Sequence, residues 1–131
     1  MADVINLVPD LVNIVGYSGD TLTVNVIISD PAYDDGAVWA AQVRCSTGSS
    51  VVLEDFGITL LPSGDGACLT LTPLQTRRLN DSGTIRRGQG CTVYQTFDGV
   101  WDVQILKPDG VVTTLARGSI QIVEDVTRVG P

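Results

Sequence analysis

The sequence predicts an all-β domain, an antiparallel sandwich of about eight strands with one short helical turn near 73–79. Three observations lead to this fold class. Segments in which apolar and polar residues alternate recur along the chain, and clusters of turn residues separate them. The 131 residues are 44% hydrophobic and 18% charged, a balance that suits a packed core. No linker or low-complexity stretch divides the chain, so we expect one domain over 1–131, with 1–6 and 129–131 flexible.

Strands in the first half of the chain follow each other closely, and each ends at turn residues such as Gly, Ser and Asp. The segment 21–28 gives the clearest signal, because Thr23 and Asn25 alternate with apolar side chains that share one face. The pattern over 51–61 predicts one strand that a bulge interrupts near Gly57. The predicted strands of this half are 21–28, 38–46, 51–61 and 67–71.

One helical turn is predicted directly after the strand over 67–71. Thr72 is a favourable N-cap, Pro73 suits the first helical position, and Gln75 stands where a capping box needs it. The turn is expected to end at about Leu79, before the turn-forming Asn80. Because so short a helix is not stable alone, packing against the strands must hold it.

The last third of the chain is the most strand-like. Residues 89–97 are predicted to pair with 100–106 across a turn at Asp98-Gly99. The segment 107–110, Lys-Pro-Asp-Gly, predicts a tight hairpin turn, since proline presets φ and glycine can adopt a positive φ. The remaining predicted elements are a return strand over 111–116, a bend at Gly118 and a final strand over 120–126.

The inward phase of these strands predicts a dry core. Its predicted members are Trp39, Val43, Leu69, Leu71, Trp101, Val103 and Ile105. Both tryptophans lie on apolar faces, so we expect them to be buried, with stacking on a sugar as the alternative. Aromatic residues make up only 5% of the chain, which is low for a carbohydrate-binding face. Ile27, Leu106 and Val123 fall instead on polar faces, as subunit interfaces or ordinary exposed apolar residues do.

Composition excludes several classes of function. The absence of histidine removes Ser-His-Asp and Cys-His nucleophilic sites, zincin motifs and every imidazole metal ligand. Fifteen acidic residues against eight basic ones give a net charge of −7, which disfavours a general role on nucleic acid. No signal peptide is visible, and no stretch is apolar enough to span a membrane. We therefore expect no enzyme activity, no catalytic residue, no metal and no cofactor.

Candidate polar clusters have ordinary structural explanations. Asp30, Asp34 and Asp35 could bind Ca²⁺, but their spacing matches no EF-hand loop, and an aspartate-stabilised turn is the alternative. Glu54 and Asp55 are neighbours on a strand and therefore point to opposite faces, so they cannot share an acid–base site. Three cysteines without a C-x-x-C pair are expected to be partly buried thiols: Cys45, Cys68 and Cys91.

Charge is distributed unevenly along the chain. Six aspartates and no base precede Arg44, so residues 1–43 carry −6. Arginine makes planar, bidentate bonds to carboxylates, so a basic loop and this acidic region could pair between identical neighbours in a heterologous contact. The alternative is an exposed loop whose arginines offset the local acids. The predicted docking loop contains four of the eight bases: Arg77, Arg78, Arg86 and Arg87.

Several short segments, taken in order, resemble one family. Gly19-Asp20-Thr21 opens an alternating strand, and later come Leu71-Thr72-Pro73-Leu74-Gln75-Thr76 and Trp101-Asp102-Val103-Gln104. Further segments are Ala41-Gln42-Val43-Arg44, 113–120 and Asp125-Val126-Thr127-Arg128. Over roughly residues 7–128 the chain resembles the immunoglobulin-like β-sandwich of tailed-bacteriophage virion proteins. Such proteins include the N-terminal domain of upper baseplate proteins and small minor capsid or tail subunits.

The resemblance implies an immunoglobulin-like antiparallel sandwich and a function without catalysis. We expect a virion structural protein, in first place a capsid decoration or minor capsid subunit that binds and stabilises the particle. A tail or baseplate subunit is one alternative, and a host-surface or glycan-binding module is another. The expected partners are major capsid or tail subunits and further copies of the chain on the particle, with no nucleic acid and no membrane. Assembly into the virion would take place in the cytoplasm of the host bacterium.

Overall fold

A computed structural model describes residues 10–27, 37–62, 66–87 and 93–124 of the chain. At Asp10, Arg86, Arg87, Val93 and Tyr94 it describes the backbone alone. Strands dominate these ranges, with one short helix, and this confirms the predicted all-β, sandwich-like fold. The expectations that lie outside the described residues concern 1–6, 129–131, Asp30, Asp34, Asp35 and Cys91.

The strands of the described ranges form two sheets, one of seven strands and one of three. In chain order the elements are β1 (Asp10–Leu11), β2 (Ile14–Tyr17), β3 (Leu22–Ile27), β4 (Val38–Arg44), β5 (Glu54–Asp55), β6 (Gly57–Leu60), β7 (Gly66–Leu71), α1 (Pro73–Asp81), β8 (Thr84–Arg87), β9 (Val93–Leu106) and β10 (Val112–Val123). The larger sheet has the order β1-β10-β9-β4-β5, with β2 also beside β10 and β8 also beside β9. The smaller sheet has the order β3-β7-β6.

One edge of the larger sheet departs from the predicted antiparallel arrangement. Strands β1 and β2 both run parallel to β10, with Leu11 opposite Arg117 and Ile14 opposite Ile120. The sequence predicts no strand before residue 21, because strands of two and four residues give too short an alternation to recognise. The other pairings of this sheet are antiparallel.

The hydrophobic core lies between the two sheets. The larger sheet contributes residues such as Val43 and Val103, and the smaller one contributes Leu69 and Leu71. Six of the seven predicted core residues are buried, and Trp39 is partly buried and packs against the same cluster. Full burial of an aliphatic side chain contributes about 1.5–3 kcal/mol, so these residues supply much of the cohesion between the sheets.

Helix α1 begins as its sequence predicts. The Thr72 hydroxyl accepts a hydrogen bond from the backbone N–H of Gln75 at 3.2 Å, and the Gln75 side chain accepts one from the N–H of Thr72 at 2.8 Å. This reciprocal pair is the predicted capping box, with Pro73 in the first turn.

The helix continues to Asp81, two residues beyond the predicted end at Leu79. Asn80 is buried and its side-chain amide donates hydrogen bonds to the carbonyl oxygens of Gln95 and Ile122, at 2.9 and 3.2 Å. These bonds attach the last turn to β9 and β10. Tertiary contacts therefore override the turn propensity of Asn80.

The single strand predicted over 51–61 is wrong, because β5 and β6 belong to different sheets. β5 pairs with β4 in the larger sheet, whereas β6 pairs with β7 in the smaller one. Phe56 lies between them, is buried, and packs edge-on against Trp101 with ring centroids 5.9 Å apart. The predicted bulge is thus the point where the chain crosses from one sheet to the other.

The predicted turn at Asp98-Gly99 is also wrong, because β9 runs without interruption through both residues. A side chain at position 99 would place its Cβ 2.6 Å from the carbonyl oxygen of Arg44 on the neighbouring strand. Glycine is therefore required there for the close approach of β4, and not for a turn.

The bend predicted at Gly118 is absent, because Gly118 lies inside β10. The register of β10 against β9 shifts between Thr114 and Ala116 instead, with Leu115 as the extra residue of β10. A Cβ at position 118 would collide with the carbonyl oxygen of Val12. This glycine lets the chain before β2 lie tightly against the sheet.

The predicted hairpin turn over 107–110 is confirmed. Gly110 has φ of 90°, and its N–H donates to the carbonyl oxygen of Lys107 at 2.9 Å. The Asp109 carboxylate accepts a hydrogen bond from the N–H of Val111 at 3.0 Å, which stabilises the turn from outside. The turn joins β9 to β10, the longest antiparallel pair of the larger sheet.

Candidate functional site

The outer face of the larger sheet has a depression with a volume of about 490 Å³. Its composition follows from strand alternation, because the residues that face the core are buried and the residues between them point outward. Leu11 of β1 lies at its edge. The polar side chains that line the depression are Gln42 and Arg44 from β4, Thr47 after β4, Asp102 and Gln104 from β9, and Arg117 and Ser119 from β10.

The registers of three strands place the charged side chains of the depression next to each other. Asp102 on the central strand β9 lies opposite Gln42 on β4 and opposite Arg117 on β10. Opposite residues on neighbouring strands have Cβ atoms roughly 4.5–5.5 Å apart. Leu11 extends the same row onto β1. One row of the sheet thus brings together an acid, a base, an amide and an apolar side chain.

Arg44 is held in place by two hydrogen bonds. Its Nη1 donates to the carbonyl oxygen of Ser49 and its Nη2 donates to Oε1 of Gln42, both at 2.9 Å. Gln104 is fixed in a similar way, because its Nε2 donates to the hydroxyl of Thr114 at 3.2 Å. These bonds make the wall of the depression a preorganised surface.

Asp102 and Arg117 lack such partners. Partial burial raises the pKa of the Asp102 carboxyl, and the positive charge of Arg44 offsets part of that rise. Within the described ranges the Asp102 carboxylate accepts no hydrogen bond, and the exposed guanidinium of Arg117 has neither a hydrogen-bond nor an ion-pair partner. The depression therefore offers one free acceptor and one free donor side by side.

An exposed apolar row crosses the same face near one end of the sheet. Leu106 on β9 lies opposite both Val38 on β4 and Val112 on β10. The three residues are 43%, 62% and 57% exposed, respectively. Leu106 and Ile27 are thus exposed as their polar strand faces predict, whereas Val123 is partly buried.

The four arginines of the predicted docking loop do not lie on a loop. Arg77 and Arg78 belong to α1, and Arg86 and Arg87 belong to β8, which pairs with β9. The segment 77–87 is therefore the end of a helix, a short turn and an edge strand. The Ser and Gly residues that indicate a loop in the sequence occupy only the turn at 82–83.

One of these arginines is engaged inside the molecule. Arg78 Nε and Nη2 donate to the two carboxylate oxygens of Glu54 at 2.8 and 2.9 Å, and Gln75 donates to the same carboxylate at 3.2 Å. The hydrogen bonds from Arg78 hold the pKa of Glu54 below its ordinary value, although burial acts in the opposite direction. Asp55, the neighbour of Glu54, is exposed, so the predicted separation onto opposite faces is confirmed.

Other candidate chemical groups are ordinary in their surroundings. Cys68 is a partly buried free thiol as expected, whereas Cys45 is an exposed one, because β4 ends at Arg44 and a turn follows. The described part of the chain contains no group of three or more His, Cys, Asp or Glu residues that could hold a metal ion. Among the described residues, no helix has both the length and the apolar character needed to cross a membrane.

Trp101 is 2% exposed, and its indole N–H donates to the carbonyl oxygen of Val12 at 2.9 Å. Its ring is therefore enclosed by protein and offers no surface for stacking on a sugar. Trp39 is partly buried against the core cluster.

No family model matches the sequence, and no curated protein does.

Sequence reasoning finds most of the depression but not its free base. The alternation places Gln42, Arg44, Asp102 and Gln104 on outward faces, as the structure has them. Arg117 is not among the predicted site residues. The inward–outward alternation of β10 after Ala116 could have identified it. The register shift interrupts that alternation, so the sequence pattern does not show that Arg117 points outward.

Proposed function

We propose that the protein is a non-enzymatic structural subunit of a tailed-bacteriophage virion, in first place a capsid decoration subunit that binds the particle and stabilises it. The observation that carries this proposal is where the family-like segments lie in the fold. Trp101-Asp102-Val103-Gln104 lies in the second half of the long strand β9, and 71–76 forms the junction of β7 with α1, including its capping box. The resemblance thus concerns the framework of the β-sandwich, which supports the proposed relationship more strongly than a resemblance of surface loops would.

The surface of the larger sheet also supports a docking role. Protein interfaces combine an apolar centre with polar groups at the rim. The outer face has an exposed apolar row next to a depression with unpaired charged groups. Such a face suits a contact with another virion subunit, whether a major capsid subunit, a tail subunit or a further copy of the chain on the particle.

The proposal is tested on purified phage particles that encode this chain. Mass spectrometry would detect the protein in the particles, and a cryo-electron microscopy map would locate it. We expect density of sandwich shape at regular positions on the capsid, and capsids without the protein should disrupt at lower temperature. Density confined to the tail would select the tail or baseplate alternative. Absence from purified particles, together with binding of the free protein to host cells, would select the host-surface alternative and contradict the proposal.

A further inference from the structure

We infer that the outer face of the larger sheet is a self-association surface, on which a second copy of the chain docks with two-fold symmetry and places its Arg117 against Asp102. The inference does not depend on the virion proposal, because it concerns the free protein in solution. It rests on the unpaired groups in the depression and on the register of β9 against β10.

The two unpaired groups are complementary to each other but do not satisfy each other within one chain. Arg117 and Asp102 lie opposite on neighbouring strands, yet no ion pair forms between them. Both residues line the depression, where Asp102 is half-buried and Arg117 is exposed. A carboxylate in a depression is best reached by a long cationic side chain from outside, and a second copy provides one.

Two-fold symmetry makes the contact reciprocal. An axis in the plane of the interface, parallel to the strands and midway between β9 and β10, places β9 of one copy over β10 of the other. Each residue of β9 then faces the symmetry copy of its own cross-strand neighbour, as an isologous interface requires. Arg117 therefore meets the second copy's Asp102, and Asp102 meets the second copy's Arg117, so that two ion pairs form at once.

The rest of the face is compatible with this placement. The apolar rows of the two copies contact each other, because Leu106 of each copy faces Val112 of the other copy. The neighbouring rows bring neutral polar or apolar residues together, and no pair of like charges is opposed. The facing pairs along the strands are Leu106 with Val112, Gln104 with Thr114, Asp102 with Arg117, Val100 with Ser119, and Asp98 with Gln121.

Charge exchange tests the contact directly. Sedimentation velocity at low salt, over a wide range of protein concentration, would measure the dissociation constant of the wild-type dimer. Arg117→Asp and Asp102→Arg should each weaken association about tenfold or more, since like charges then oppose each other twice per dimer. The double variant, Arg117→Asp with Asp102→Arg, exchanges the partners and should restore association to near the wild-type value.

A matched control separates this contact from a general effect of charge. Asp81→Arg makes the same charge change as Asp102→Arg but at the exposed end of α1, away from the outer face, and should leave the dissociation constant unchanged. Circular dichroism melting of every variant checks its folding. If a charge-reversal variant unfolds, the neutral substitution at the same position, Arg117→Gln or Asp102→Asn, replaces it. A wild-type protein that stays monomeric at every concentration would overturn the inference. A dimer that none of the variants weakens, or one that the double exchange fails to rescue, would overturn it equally.

Discussion

The side chain of Trp101 connects three distant parts of the chain. It lies on the central strand β9, packs edge-on against Phe56 at the crossing between the sheets, and donates its indole N–H to Val12 beside β2. Packing of a large aromatic ring and a satisfied polar atom act together here, because the buried N–H would otherwise be unpaired.

Replacement of Trp101 by Ala should therefore destabilise the domain by about 3–5 kcal/mol, through lost burial and the cavity that remains. Urea denaturation followed by circular dichroism measures the change. Leu74→Ala is the matched control, because Leu74 is 55% exposed on α1 and its loss should shift stability by no more than about 0.5 kcal/mol. A loss below about 1 kcal/mol for Trp101→Ala would contradict its role in the core.

At the scale of residues, the sequence predicts correctly which side chains point into the core, but not which residues bind each other. The inward positions Val43, Val103 and Ile105 are correctly predicted, because alternation depends only on neighbours in the chain. The sequence predicts Arg78 as a docking residue, but it binds Glu54, which lies 24 positions away. Such a partner is set by the packing of a helix on a distant strand, and no local pattern encodes it.

At the scale of elements, the ion pair between Glu54 and Arg78 joins α1 to β5 at the edge of the larger sheet. Glu54 is nearly buried, whereas the Arg78 side chain is about half exposed. The Gln75 side chain supplies a further bond to the same carboxylate and one to the carbonyl oxygen of Asp55, at 2.7 Å. The first two turns of the helix are thus held to the strand by one carboxylate.

This clamp, the bonds from Arg78 and Gln75 to the Glu54 carboxylate, should make the stability of the fold depend on pH. Because the pKa of Glu54 is lowered in the folded state, its stabilising contribution is complete above the ordinary value of 4.5 and is lost as the pH falls through the folded-state pKa. Glu54→Gln removes charge-assisted bonds, so we expect a loss of about 1–3 kcal/mol near neutral pH. The difference between variant and wild type should narrow as the pH falls below 4.5. Chemical denaturation over a pH series measures it, with exposed Asp55→Asn as the control; a difference independent of pH would contradict the assignment.

The parallel edge of the larger sheet depends on close backbone contact at Gly118. Gly118→Ala would force its methyl group into the carbonyl oxygen of Val12, so the segment before β2 has to move. We expect a loss of about 1–3 kcal/mol and faster amide hydrogen exchange in β2 than elsewhere. Gly48→Ala is the control, because a Cβ there meets no atom within 4 Å. Unchanged exchange in β2 would show that the edge tolerates the methyl group.

Elements with local signals are the ones that sequence predicts. The capping box of α1 and the hairpin turn at Gly110 each depend on a few consecutive residues, and both are confirmed. The crossing at Phe56 and the parallel strands β1 and β2 depend on which distant strand each segment meets. The sequence predicts a turn at Gly99 and a bend at Gly118, because a local pattern cannot distinguish a flexible glycine from one required by a close neighbour.

At the scale of the whole molecule, the two candidate docking surfaces are separate. Arg77, on α1, is exposed. Arg86 and Arg87 belong to β8, which pairs with the first residues of β9, whereas the depression lies beside the second half of β9. The depression is formed by residues from three strands and contains Arg117. Sequence predicts the basic stretch because its members are close in the chain, whereas the depression exists only after β4, β9 and β10 have paired.

The docking role of the basic stretch on the particle is best tested with Arg78 left intact, because its loss would also break the clamp. Replacement of Arg77, Arg86 and Arg87 by Ser removes three positive charges, and single exposed ion pairs contribute only ~0.2–1 kcal/mol each. Summed over many copies on a particle, their loss should lower occupancy at low salt, and the binding that remains should lose its salt dependence. Occupancy on purified particles, measured by densitometry at low and moderate salt, gives the result. Arg117→Ser serves as the comparison: if it alone lowers occupancy, the particle binds the outer face of the larger sheet, and if neither variant changes occupancy, docking uses the free edges of the sandwich.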